Sequence, residues 1–232
     1  MSTRVLTLRP LVARVTNGFV WRSPLRAARL LFSFAHAEAG SRVDLIVAAQ
    51  LTASGARRAL YLRHALDEAR HAQLFALRST ELRAKHGLPP LGFVRPDAEA
   101  LFERLGELGF LAFVHRGEQR GRRQFESYRA HFARAGDDRM RALFDAVLVD
   151  ERRHEDYTGT LLRELAGGEA GARRALRVAA AWEAWRSWRR AGRVLAVAVY
   201  GLAMAALYVG IAPLLLALRP LLRVRPRWRS GS

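Results

Sequence analysis

The chain has 232 residues, half of them hydrophobic, no cysteine and a formal net charge of +18. That length allows one good-sized domain plus an appendage, and the missing cysteines exclude disulfides, iron–sulfur clusters, thiolate zinc sites and cysteine nucleophiles. The charge would suggest nucleic acid as a partner, but no acid precedes Glu38 and only Glu183 follows Glu169, so the excess sits at the two ends. Without a basic patch on a recognisable nucleic-acid motif, this distribution disfavours nucleic acid and favours anionic lipid.

Residues 1–23 form a basic arm with Arg4, Arg9, Arg14 and Arg22 among apolar residues. Three readings stand side by side: a basic amphipathic segment on a membrane surface, an organelle transit peptide, and a frayed arm. Pro24 then opens a helical pattern to about residue 52, with Leu31, Phe34, Glu38, Leu45 and Ala49 on one stripe. Ser54-Gly55 breaks it. A second helix is expected over about 56–85, with Tyr61, His64, Glu68, His71, Phe75 and Leu82 on one face, stopped by His86-Gly87-Leu88-Pro89-Pro90.

After a crossover loop, Asp97 is the expected cap of a third helix over about 98–134, with Leu111, Val114, Glu118 and Phe125 aligned. Gly106, Gly109, Gly117 and Gly121 are unusual inside a helix, each costing about 1 kcal/mol relative to Ala. Those flanking Glu118 suggest room for a small molecule or for close helix packing. A fourth helix runs from Asp137 or Asp138 to about Leu165, aligning Phe144, Val147, Glu151, His154 and Thr158, and Gly167-Gly168 closes the domain. Residues 24–168 thus read as an all-α, antiparallel four-helix bundle.

A basic, Trp-rich connecting helix is expected over 169–193, carrying Trp182, Trp185 and Trp188. Residues 194–218 form a run of 25 without a charge, long enough to cross a hydrocarbon core of about 30 Å. We read it as a transmembrane fifth helix, with a buried helix or a shallow insertion broken at Pro213 as alternatives. Residues 219–232 are a basic tail, and the aromatic residues on either side resemble interfacial anchors.

The chemistry concentrates in two copies of one motif, Asp67-Glu68-Ala69-Arg70-His71 and Asp150-Glu151-Arg152-Arg153-His154. In each, Glu and His three apart project from one helix face, where a carboxylate oxygen and an imidazole nitrogen can reach one metal ion. Glu38 and Glu118 lie 30 and 33 residues ahead of Glu68 and Glu151. Charged residues in the middle of four apolar stripes are costly to bury unless paired or metal-bound. Glu38, Glu68, His71, Glu118, Glu151 and His154 are therefore the expected metal ligands. Four carboxylates and two imidazoles suit a pair of iron or manganese ions better than zinc, and four glutamates balance two divalent cations.

Metal-bound histidines usually donate their second nitrogen to a carboxylate. Asp67 and Asp150 are candidates, each for the histidine of the opposite helix, with Arg70 and Arg153 completing that outer layer. An ordinary solvated helix face is the alternative for these four. His64 and His115, each one turn or less before a glutamate ligand, are candidates for proton transfer or for lining a substrate pocket, against the plainer reading as hydrogen-bonded histidines. Tyr61 and Tyr128 read as packing aromatics rather than redox-active groups.

Over roughly residues 25–165 the chain resembles the ferritin-like di-iron carboxylate superfamily, on the six-residue set just described and its spacing. Carried over, the resemblance implies a ferritin-like bundle, two iron ions (Fe/Fe, with Mn/Fe as the variant) and Glu68 and Glu151 as bridging carboxylates. The extended Asp-Glu-x-Arg-His form is similar to the oxygen-activating branch, such as bacterial multicomponent monooxygenases. Rubrerythrins carry a further glutamate where this chain has Gly121, and the absent cysteines leave no rubredoxin-type centre.

The function these readings imply is a membrane-tethered di-iron oxidase or oxygenase. It would use dioxygen as co-substrate to oxidise a small apolar molecule, such as a lipid, acyl chain or quinone. With no flavin motif and no cysteine, electrons would come from an external donor, a ferredoxin or reductase, and the bundle is placed in the cytoplasm. The rival is a membrane-associated ferroxidase or peroxide-handling, ferritin- or rubrerythrin-like iron protein. A third reading, a non-catalytic membrane scaffold, leaves the buried charges unexplained.

Overall fold

In the computed structural model, residues 8–92 and 100–218 are described, and all six of their elements are α-helices: α1 Leu8–Trp21, α2 Pro24–Leu51, α3 Gly55–Lys85, α4 Leu101–Ala135, α5 Asp138–Leu165 and α6 Glu169–Leu218. There is no strand among the described residues. The boundaries follow local chemistry. Ser23 Oγ accepts from the Arg26 N–H ahead of Pro24, Ser54 Oγ accepts from the Arg57 N–H, and Asp137 Oδ1 accepts from the Met140 N–H at 2.9 Å. Gly136, in the left-handed region at φ +72°, ends α4.

α4 starts a little later than expected and bends near its start. The cap assigned to Asp97 lies outside the described residues, and α4 begins at Leu101 after Ala100, whose side chain makes no capping bond. Gly106 sits at φ 66°, ψ 171° and kinks the helix there. That backbone is open to glycine at little cost, so this glycine marks a bend rather than a packing contact.

The division falls into two compact units, Met1–Ala180 and Ala181–Ser232. In the first, α2 packs along α3 and α4 along α5, each pair joined by a short turn and hence antiparallel. The hairpins meet through α2 against α4 and α3 against α5, which sets the ring order α2-α3-α5-α4. One end is an aromatic core of Phe75, Phe125, Tyr128, Phe132 and Phe144, with Phe34 against it. A frayed arm does not describe Leu8–Trp21. Trp21 lies edge-on to Tyr128 and Phe132 at centroid distances of 5.1 and 4.9 Å, and Asn17 Nδ2 donates to Ser127 Oγ at 3.0 Å.

In the second unit, the helix carries Arg186 4.9 Å from the Trp182 ring and Arg189 4.6 Å from Trp185. α6 is long and apolar enough to cross a membrane, with a mean hydropathy of 2.2 over an 18-residue window of which none is buried. Pro213 lies within this helix without ending it. The basic tail and Trp228 lie outside the described residues.

Candidate metal centre

The polar end of the bundle is built in two layers. In the outer one, His71 Nε2 lies 3.1 Å from Asp150 Oδ2 and His154 Nε2 lies 3.1 Å from Asp67 Oδ2. Each motif thus supplies the carboxylate that orients the other motif's histidine. Arg153 donates to Asp67 Oδ2 at 2.6 Å and to Asp150 Oδ1 at 2.8 Å, and Arg70 donates to the same two carboxylates. Two aspartates and two guanidiniums close a neutral lattice between α3 and α5. Burial alone would raise the aspartate pKa values, but the bonds from His154 and Arg153 hold Asp67 below the ordinary carboxylate range, and those from His71 and Arg70 do the same for Asp150.

That lattice sets the histidine tautomers. With an aspartate accepting from Nε2–H, each Nδ1 is a bare lone pair directed inward. His71 and His154 are 0% and 1% exposed, and both Nδ1 atoms are buried without a hydrogen-bond partner. What they face is carboxylate. His71 Nδ1 lies 3.8 Å from Glu151 Oε1, while His154 Nδ1 lies 3.7 Å from Glu68 Oε1 and 3.6 Å from Glu118 Oε2.

Two groups of ligand atoms result, each within 4.8 Å of one another: Glu38, Glu68 and His71, and His64, Glu68, Glu118 and His154. Glu68 belongs to both. Glu151 reaches the first group through His71 and packs against α4, where a Cβ on Gly121 would stand 3.1 Å from its Oε2. Of the two glycines flanking Glu118, Gly121 therefore gives room to a carboxylate, whereas a Cβ on Gly117 would meet nothing within 4 Å.

The inner glutamates have no cation to balance them. Burial, followed by repulsion from Glu68, raises Glu38 well above the usual range. Burial pushes Glu68 up to about 8, and burial with repulsion from Glu118 raises Glu151. Glu118 goes the other way, because His64 and His154 outweigh its burial. His64 is pushed down to about 3, chiefly by burial. Carboxylates raised in this way, Glu38, Glu68 and Glu151, are what divalent cations would return to the charged form.

His64 belongs to the cage; its Nε2 lies 2.8 Å from Glu68 Oε1 and 3.5 Å from Glu118 Oε1. His115 does not. The Thr158 hydroxyl donates to the His154 carbonyl at 2.6 Å, so it accepts from His115 Nδ1 at 2.9 Å, and Gln119 donates to His115 Nε2 at 3.1 Å. Both nitrogens are satisfied, and a Cβ on Gly159 would stand 3.0 Å from the ring, which marks a packed core histidine. Tyr61 donates to Glu107, which also receives Thr52 and Arg57, and Tyr128 accepts from Gln124.

Sequence reasoning missed Tyr157, whose hydroxyl lies 2.7 Å from His64 Nδ1. Its signal was its position three residues after His154, which places it on the same inward face. Tyr157 also lines a groove of about 700 Å³ with Leu60, Val149, Leu161, Arg152 and Arg153. Comparison with protein families, with curated proteins and with solved structures finds no match for this chain.

Proposed function

We propose that this chain is a membrane-tethered di-iron oxidase or oxygenase of the ferritin-like kind, acting with dioxygen on a small apolar substrate. The observation that carries the reading is the pair of buried, partnerless Nδ1 atoms on His71 and His154, facing Glu151, Glu68 and Glu118 inside the bundle. Buried polar atoms rarely go unpartnered without a reason, and a metal pair supplies one.

Glu38, Glu68 and His71 would hold one ion and Glu118 and His154 the other, with Glu68 shared between the two and Glu151 beside His71 at the first. Bound ferrous ions would supply electrons and Lewis acidity for reducing dioxygen. The protein's part is to hold the imidazoles in one tautomer through Asp67 and Asp150, to keep the glutamates deprotonated once charge is balanced, and to exclude water. Phe75, one turn after His71 on α3, and Phe125 are buried at 0% and 3% exposure in the adjoining aromatic core. A helix able to cross a membrane suits a lipid, acyl or quinone-like substrate, which concentrates in a bilayer. Electrons would come from an acidic ferredoxin or a reductase docking on the arginine-rich surface, with the bundle in the cytoplasm.

The test is anaerobic titration of the detergent-purified chain with Fe(II), followed by admission of oxygen. Saturation at two irons per chain and a transient visible absorption, both lost in Glu68→Ala and His71→Ala, are expected. Uptake of many irons per chain would instead establish the iron-storage or ferroxidase alternative. Binding that is absent, or unchanged in both variants, removes both readings.

A further inference from the structure

We infer that His64 is a third imidazole ligand, giving the centre seven protein ligands, with the additional nitrogen at the Glu118–His154 position. The inference rests on the two-metal reading above and specifies how unequal the two metal positions are. His64 stands on α3 one turn ahead of Glu68, is 1% exposed, and stacks its ring on that of His154 with centroids 3.6 Å apart. Its Nε2 does not point at a neighbouring helix's backbone. It hydrogen-bonds Glu68 Oε1 at 2.8 Å and lies 3.5 Å from Glu118 Oε1, so a metal ion bound there would take the place of that bond.

The spacing is that of donors around one ion. Nitrogen and oxygen ligands sit roughly 2.0–2.2 Å from a divalent cation, so adjacent donors on one ion are separated by about 2.8 Å at right angles and up to about 3.6 Å in a tetrahedron. Glu68 lies 2.8 Å from His64 and 3.7 Å from His154, and Glu118 lies 3.5 and 3.6 Å from the same two histidines. An independent mark is His154 Nδ1, buried, without a hydrogen-bond partner and directed into the same space.

His64 also has the construction of the other two inward histidines. In each, one nitrogen faces the glutamates and the other is fixed by a polar group from α3 or α5: Asp150 for His71, Asp67 for His154 and the Tyr157 hydroxyl, at 2.7 Å, for His64. A ligating histidine needs such an outer partner to hold its ring. With Nε2 on a metal, Nδ1–H donates to the Tyr157 oxygen. His115 shows the contrast, since its partners are Thr158 and Gln119, whereas His64 Nε2 meets Glu68, a carboxylate of the cage. Tyr157 is thus a positioning residue, placed between the groove and the metal centre.

X-ray absorption on the full chain loaded anaerobically with Fe(II) reads the number of imidazoles per metal pair. Three are expected in the wild type, two in His64→Gln, and three in Tyr157→Phe, which keeps the ligand but loses its orienting group and should bind iron about tenfold more weakly. Two imidazoles per pair in the wild type, or a count unchanged by His64→Gln, overturns the inference and leaves His64 as a hydrogen-bond partner of Glu68. The wild-type count alone decides the matter if the variant does not fold. A wild type that takes up no metal pair overturns the two-metal reading and this inference together, whereas a metal pair carrying two imidazoles overturns this inference only.

Discussion

The same four helices build two ends of opposite character. At one, Phe75, Phe125, Phe132 and Phe144 meet with Tyr128 and Trp21. At the other, Glu68, Glu118, Glu151 and three histidines are also buried, with Glu38 half-buried beside them. The aromatic end lowers the free energy of the fold by removing apolar surface from water. The polar end raises it, because only the outer aspartates have cations to balance them. One end therefore holds the helices at the spacing that the other would relax away from. Strain is tolerated at a functional site when the surrounding structure over-determines it.

The largest effect expected is at the aromatic end. Phe144→Ala, at a position with no exposed surface, should cost about 3–5 kcal/mol in a denaturation measurement, while the iron stoichiometry of the folded fraction stays unchanged. A variant that loses metal in proportion to stability would show that the two ends are one cooperative unit. At the polar end the pattern inverts. Asp150→Asn and Asp67→Asn each remove one acceptor from the lattice, and each should weaken metal binding by about 10- to 100-fold in competition with a chelator. Unequal losses would reveal which histidine depends more on its carboxylate.

The contrast also has a pH signature. Glu68, with its folded pKa raised to about 8 from 4.5, holds a proton that the unfolded chain releases, so its contribution is present at low pH and lost as pH rises towards 8. Glu38 and Glu151 are shifted in the same direction. His64, depressed to about 3 from 6.5, opposes this only below 6.5, where the unfolded chain takes up the proton. On the acid side, Asp67 and Asp150, both held low, contribute stability that is lost as they are protonated. The metal-free melting temperature should therefore fall between pH 6.5 and about 8, and saturating Mn(II) should abolish that fall. A flat metal-free profile would mean that the glutamates are compensated by something other than protons.

The smallest effect is expected at Gly121→Ala. The new Cβ, 3.1 Å from Glu151 Oε2, must displace that carboxylate slightly, while alanine's better helix propensity returns about 1 kcal/mol. Thermal stability should change by less than about 1 kcal/mol, with a measurable loss of affinity for one of the two metals. Gly117→Ala is the control, since it meets nothing within 4 Å and should leave metal binding as it was.

The helices were legible because their signals are local. Ser54, Asp137 and the Ser23–Pro24 pair cap their own chain within a turn, and an apolar stripe repeats every three or four residues wherever a face is buried. Gly106 was noticed as a glycine but not as a bend, because its backbone angle follows from how α4 meets the rest of the bundle. The docking of Leu8–Trp21 was not legible, since the ring faces that receive Trp21 come from α4 and α5.

The sequence by itself determined the residue types and the helical phase of the centre. Glu and His three apart must share a face, and two such motifs preceded by glutamates in the apolar stripes can turn their charges only inward. Tertiary structure decided what those charges meet. It formed the crossing of Asp67 to His154 and Asp150 to His71 that the sequence already suggested, gave Glu151 the space beside Gly121, separated His115 from the cage, and brought His64 and Tyr157 to it. Helical periodicity fixes the direction of a side chain, whereas the distance between two helices is set by everything packed between them.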